Sequence, residues 1–186
     1  LFMWGAMFGV FFGTTLRLPL YLVLPLAMVG SGLLAVAIDL IAFRPLRRRN
    51  LRIEALELGS LIASIGFSIM LTSIAERLTG AQILRIPSTV YEVTTLHLGG
   101  LVVTNISLLM LGLGVGLTAV VGLAVQRTNI GKALRAVAYD PGVASMLGIN
   151  VDRVTMVALF VAGALAGAAG VLLGISFSAV EFTMGA

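Results

Sequence analysis

Long apolar runs alternate along this chain with short stretches that hold nearly all of its charge. Five such runs are read as spans, at 1–14, 20–43, 58–78, 102–125 and 154–177. The last four each reach the roughly 20 residues that a helix needs to cross a bilayer core. The first is shorter, has no basic flank or cleavage site, and is read as the remainder of a span rather than a signal peptide. The runs are continuous rather than alternating, which predicts helices. In lipid, only helices and closed barrels satisfy their own backbone. The expected fold class is therefore all-α, a polytopic transmembrane helical bundle with about five spans present. Both ends are expected to be truncated, since residue 1 lies inside an apolar run and residue 186 follows the start of another segment.

Composition sharpens the class. Hydrophobic residues make up 59% of the chain and charged residues 11%, against about a quarter charged in a soluble domain. Nine of the twelve basic residues fall in two loops. Arg44, Arg47, Arg48, Arg49 and Arg52 lie in 44–57; Arg127, Lys132, Arg135 and Arg153 lie in 126–153. The five spans put both loops on one side, and the positive-inside rule makes that side cytoplasmic. The net charge of +4 then reflects topology. Nucleic acid is not an expected partner, because neither aromatic platforms nor a soluble basic module is present. With no cysteine and a single histidine, His97, no metal or cofactor site is expected.

The loop at 126–153 has too much pattern for a simple connector. Ile130, Ala133, Leu134 and Val137 follow helical spacing, with Lys132 and Arg135 pointing elsewhere. Asp140 and Pro141 offer an N-cap and a first-turn proline, and Gly148 offers the residue past a helix end. Between them Val143, Ala144, Met146 and Leu147 predict a helix of about two turns with small and apolar side chains. It either rests on lipid and the bundle or docks onto a partner. In the last span Gly163, Gly167, Gly170 and Gly174 fall within a strip about 60° wide, suited to close helix packing or to a substrate path. The run Gly112, Gly114, Gly116 forms no strip and suggests local flexibility. Ser60, Ser64, Ser68 and Thr72 form a hydroxyl stripe, bonding within or between helices or lining a polar passage. Asp39 opposes the negative end of its helix dipole and calls for a cation, either Arg47, Arg48 or a neighbouring subunit. An ion pair and a proton relay are its two readings. The outer loop 79–99 is expected to turn at Pro87-Ser88 and to extend over 89–93, where it could cover the outer mouth or meet an external protein. His97 is read as an ordinary interfacial residue.

Several of these stretches resemble a known family. Phe43-Arg44-Pro45-Leu46-Arg47 and Leu61-Ile62-Ala63-Ser64-Ile65-Gly66-Phe67-Ser68 are similar to the second-to-third span region of branched-chain amino-acid ABC importer permeases. Gly131-Lys132-Ala133-Leu134-Arg135-Ala136 and Ala144-Ser145-Met146-Leu147-Gly148-Ile149-Asn150 resemble that family's coupling segment. Asp152-Arg153-Val154 and the glycine-rich residues 163–172 continue it into the next span. The coupling-to-glycine stretch is shared with sugar permeases of the superfamily; the Arg-Pro-Leu-Arg and Ile-Gly-Phe-Ser pair narrows the match to the LivH-type branch, which includes urea and short-amide permeases. Family members have about eight spans, so one or two are expected before residue 1 and two or three after residue 186. An Asn-Phe-Ala-His-Gly stretch of the family is absent here, and Asp39 stands where the family often has Glu.

The resemblance implies a partial permease domain over 1–186 in the inner membrane, with 126–153 as its cytoplasmic coupling loop. It implies alternating access and import powered by two separate nucleotide-binding ATPase subunits. A second permease subunit and an external solute-binding protein complete the implied assembly. Asp140, Pro141, Ala144, Met146, Leu147 and Gly148 would carry the coupling, and Ser60, Ser64, Ser68 and Thr72 could face the path. The chain itself is expected to be no enzyme and to bind no nucleotide, since Gly131-Lys132-Ala133 fails as a phosphate loop. Two other classes remain. An intramembrane hydrolase could use the serine of Gly30-Ser31-Gly32, though the one histidine lies in an outer loop. A secondary transporter or channel would be expected to show more intramembrane charge than Asp39, or inverted repeats.

Overall fold

A computed structural model describes residues 1–14, 19–45, 53–80, 95–98 and 101–177. Among these the regular secondary structure is helical apart from one short hairpin. Helix α1 is Phe2–Thr14, and α2 is Leu20–Ile38, continued by a π-helical turn over Asp39–Phe43. Helix α3 is Ile53–Thr79. Strands β1 (Thr95–Leu98) and β2 (Leu101–Thr104) pair antiparallel, with Thr95 opposite Thr104 and Leu98 opposite Leu101. Helices α4 (Asn105–Arg127), α5 (Asn129–Tyr139), α6 (Pro141–Met146) and α7 (Val151–Phe177) complete the chain.

Four helical stretches are long and apolar enough to cross a membrane: Leu20–Phe43, Leu58–Leu78, Asn105–Arg127 and Val151–Ser176. Phe2–Thr14 is a shorter apolar helix. The all-α membrane bundle expected from the sequence is thus borne out; the last helix begins at Val151 rather than 154, and two other boundaries differ for physical causes. Helix α3 begins at Ile53, five residues before the apolar run, because Glu54, Ala55, Leu56 and Glu57 favour helix without adding apolar character. The fourth span begins at Asn105 rather than 102, because the run 101–104 is β-branched in three of its four positions and pairs as a strand. The glycines at 112, 114 and 116 lie within uninterrupted helix. The extended segment expected at 89–93 and the arginines at 47–49 lie outside the described residues.

The chain divides into two compact units, Leu1–Tyr91 with Ala162–Ala186, and Glu92–Val161. The first unit has a core of small side chains. Ala6, Ala27, Ala35, Ala164 and Ala168 are buried, joined by Val10, Val23, Val171 and Ile175. Small residues let helix backbones approach closely, which is how helices gain packing energy where no hydrophobic effect separates them from lipid. Larger aromatic groups of α1 sit beside this core. Trp4 and Phe8 have ring centroids 6.0 Å apart, and the Trp4 indole N–H donates to the Leu71 carbonyl of α3 at 3.3 Å. The second unit holds the hairpin, α4, α5, α6 and the opening turns of α7.

Candidate functional site

The stretch 126–153 is ordered by its own capping groups. Asp140 has extended backbone, and its Oδ1 accepts from the N–H groups of Gly142 at 2.7 Å and Val143 at 3.0 Å. Those are orphan donors of the first turn, and a carboxylate there also meets the positive end of the helix. Pro141 occupies the first helical position, where its missing N–H costs nothing. At the other end Gly148 has φ +82°, the left-handed conformation that glycine adopts without a Cβ penalty. Its N–H donates to Ser145 O at 3.0 Å, while that of Ile149 donates to Ala144 O at 3.1 Å. This pair of bonds is the Schellman motif. Asn150 then opens α7, its Oδ1 accepting from the Arg153 N–H at 3.1 Å.

Helix α6 is therefore short but closed at both ends. Ala144 is buried, whereas Met146 is 88% and Leu147 75% exposed. Tyr139, just before the cap, is 94% exposed, and Val143 and Ile130 are exposed as well. Exposed apolar side chains thus stand on the stretch that carries Arg127, Lys132, Arg135 and Arg153. Sequence periodicity marks Val143, Ala144, Met146 and Leu147 together. The structure separates them, with Ala144 facing inward and Val143, Met146 and Leu147 outward. Tyr139 joins the outward set, and it does not stand out in the sequence as a docking residue.

The hydroxyl stripe of α3 lies at a half-buried to exposed surface. Ser64 Oγ donates to Leu61 O at 2.8 Å, and Thr72 Oγ1 donates to Ser68 O at 2.9 Å. These bonds satisfy the hydroxyls within their own helix. Ser60 and Thr72 are half-buried, and Ser64 and Ser68 exposed.

The glycines of α7 in the first unit meet α1 and α2. A Cβ at Gly163 would stand 2.6 Å from Ala35 Cβ and 2.8 Å from Ser31 O. One at Gly167 would stand 2.8 Å from Ser31 Cβ and 2.9 Å from Ala27 O, and one at Gly170 would stand 2.9 Å from Ala6 N. Gly174 is buried. By contrast, a Cβ at Gly112, Gly114 or Gly116 of α4 meets nothing within 4 Å. Asp39 is fully buried at the start of the π-helical turn and engaged with other groups. Its expected partners Arg47 and Arg48 lie outside the described residues. No group of three or more metal-binding side chains occurs among the described residues.

A family model described as the permease component of the branched-chain amino acid transport system matches residues 1–186. The chain is 29% identical over 171 residues to the high-affinity branched-chain amino acid transport system permease protein LivH of Escherichia coli K12, covering 83% of this chain and 50% of that one. It is 25% identical over 158 residues to the corresponding protein BraD of Pseudomonas aeruginosa, with the same coverage. A probable LivH permease of Methanocaldococcus jannaschii is 28% identical over 159 residues, covering 82% of this chain and 48% of that one. The chain thus spans about half the length of the curated relatives it matches. No solved structure matches it. A match along the whole chain, on helices long and apolar enough to span a bilayer, has one consequence: this chain belongs to the permease-component family of branched-chain amino acid transport systems.

Proposed function

We propose that this chain is part of the membrane-spanning subunit of an ATP-driven ABC importer that moves branched-chain amino acids into the cytoplasm by alternating access. ATP hydrolysis belongs, in this reading, to two separate nucleotide-binding subunits. A second permease subunit completes the pathway, and an external binding protein delivers the amino acid. The chain sits in the inner membrane with 44–57 and 126–153 on the cytoplasmic face. The observation that carries the reading is α6, a six-residue helix fixed at both ends, with Met146 and Leu147 turned outward. An isolated helix of that length is unstable. Capping makes it a rigid projection, and its exposed apolar tip fits a cleft on a soluble partner. In this reading Asp140, Pro141, Ala144 and Gly148 shape the projection, while Met146 and Leu147 make the contact. The glycines of α7 serve helix packing, and the stripe of α3 borders the pathway. The relatives' names support the substrate class.

The test is reconstitution of the full-length permease, carrying Asp140→Ala or Gly148→Val, with its ATPase subunits and binding protein. Loss of an N-cap costs about 0.5–2 kcal/mol of local helix stability, and a β-branched residue cannot adopt the Gly148 conformation without strain. Both variants should insert normally, because neither change lies in a span. Leucine uptake should fall well below wild type, through lost docking or futile hydrolysis. Normal uptake in both would make this loop a passive connector and sink the coupling assignment.

A further inference from the structure

Helix α5 is tied to the end of α4 by three groups, each acting on a different part of the joint. Thr128 is the C-cap of one helix and the N-cap of the next. Its Oγ1 donates to Ala124 O at 2.5 Å and accepts from the Gly131 N–H at 3.0 Å. Its backbone N–H also bonds Ala124 O, at 3.1 Å. Gly131 is buried against the last turn of α4. A Cβ there would stand 2.5 Å from the Val125 carbonyl carbon and 2.6 Å from Ala124 O, backbone atoms that have no rotamer to yield. One turn further along α5, the Arg135 guanidinium donates from Nη1 to the Val125 carbonyl, ten residues back. That carbonyl belongs to the last turn of α4, where acceptors lack intrahelical partners and the helix dipole favours a cation.

We propose that Thr128, Gly131 and Arg135 form a clamp that makes α4 and α5 one rigid lever, so that a displacement of α6 moves α4. The proposal rests on the coupling reading above and deepens it. A connection that turned freely at residue 128 would absorb a push on α6 as rotation about the joint. Thr128 fixes the backbone on both sides of the turn. Gly131 lets α5 lie directly on the end of α4, and Arg135 closes the angle between them. Arg135 is thus a positioning residue, acting through the α4 terminus rather than on substrate or ATPase. Lysine at 135 could supply the charge but not the planar, multi-donor guanidinium. Loss of a charge-assisted bond at this joint shifts the balance between locked and loose states by roughly tenfold.

The experiment uses the full-length permease assembled with its ATPase subunits and binding protein. Arg135→Gln and Gly131→Val are compared with Arg127→Gln, which removes a basic side chain from the same end of α4 without touching the clamp. Three quantities are read: co-purification of the ATPase, leucine uptake per ATP hydrolysed, and amide exchange across 129–139. The clamp variants should bind the ATPase as wild type does, lose uptake per ATP several-fold, and exchange faster in α5. Arg127→Gln should match wild type in all three. Wild-type uptake per ATP in Arg135→Gln overturns the clamp, as does an equal loss in Arg127→Gln, which would reduce the effect to charge. If even the wild-type chain recruits no ATPase subunit, the coupling reading fails. The clamp is then judged by exchange alone, and unchanged protection of α5 in both clamp variants overturns it.

Discussion

At Gly167 the backbones of three helices converge. A Cβ on Gly5 of α1 would collide with the Gly167 backbone, while one on Gly167 would fall 2.9 Å from Ala27 O and 2.8 Å from Ser31 Cβ of α2. Even alanine therefore has to push backbone away, and leucine adds three more carbons. Overpacking of this kind typically costs about 1–3 kcal/mol. Gly167→Leu should lower folded yield and thermal stability in detergent, whereas Gly116→Leu, which faces open space, should leave both unchanged. Normal yield from Gly167→Leu would show that the contact with α2 is dispensable. Ser31 has a second consequence. Its Oγ is buried and makes no hydrogen bond among the described residues, so none of these is bonded to it as an activating base. Ser31→Ala removes an unsatisfied buried hydroxyl and should cost little or even stabilise. Uptake retained in that variant argues against the hydrolase alternative. The glycine spacing of 163, 167, 170 and 174 is visible in the sequence because it follows helical geometry. That Ala27, Ser31 and Ala35 lie opposite has no such signature, since facing partners are set by tertiary packing.

Helix α6 and its flanks show what an element reveals in advance. Asp140-Pro141 and Gly148 are local signals, since a cap, a first-turn proline and a left-handed glycine each act within four residues. They locate a helix whose observed bounds are Pro141–Met146. What the spacing could not show is the split between Ala144 inside and Met146 and Leu147 outside, because six residues are too few for a face to be read by period. The tie from Arg135 to Val125 is equally silent in sequence. The π-helical turn at Asp39–Phe43 carries no breaker residue to announce it. If the outward pair forms the contact, Met146→Gln with Leu147→Gln should weaken ATPase association while leaving insertion and folding intact. Each buried apolar side chain contributes about 1.5–3 kcal/mol, so the double change should cost at least tenfold in affinity, read by co-purification or titration. Undiminished association would move the contact elsewhere on 126–153, with Tyr139 and Val143 the next residues to replace.

For the molecule as a whole, the arrangement of spans carries the orientation. The apolar runs were legible because lipid imposes a length and forbids unsatisfied backbone. Two of them, Leu20–Phe43 and Leu58–Leu78, coincide with helical stretches. The strand pair Thr95–Leu98 and Leu101–Thr104 leaves no mark in the sequence, because its second strand is as apolar as the span it adjoins. With nine of twelve basic residues in 44–57 and 126–153, reversing the topology would carry those charges across the membrane against the bias that sets orientation. The chain has no cysteine, so single cysteines can report sidedness in a full-length cysteine-free parent. Tyr139→Cys is well placed, since the side chain is almost wholly exposed, and Arg48→Cys samples the other basic loop. Both should react with a membrane-impermeant maleimide only when the cytoplasmic face is accessible. Ser88→Cys, in the loop that the proposed orientation puts outside, should react only from outside. Labelling of position 139 from outside would place α5, α6 and the clamp at 128–135 beyond reach of any cytoplasmic ATPase. The coupling mechanism would then fail as a whole, whatever the individual caps contribute to stability.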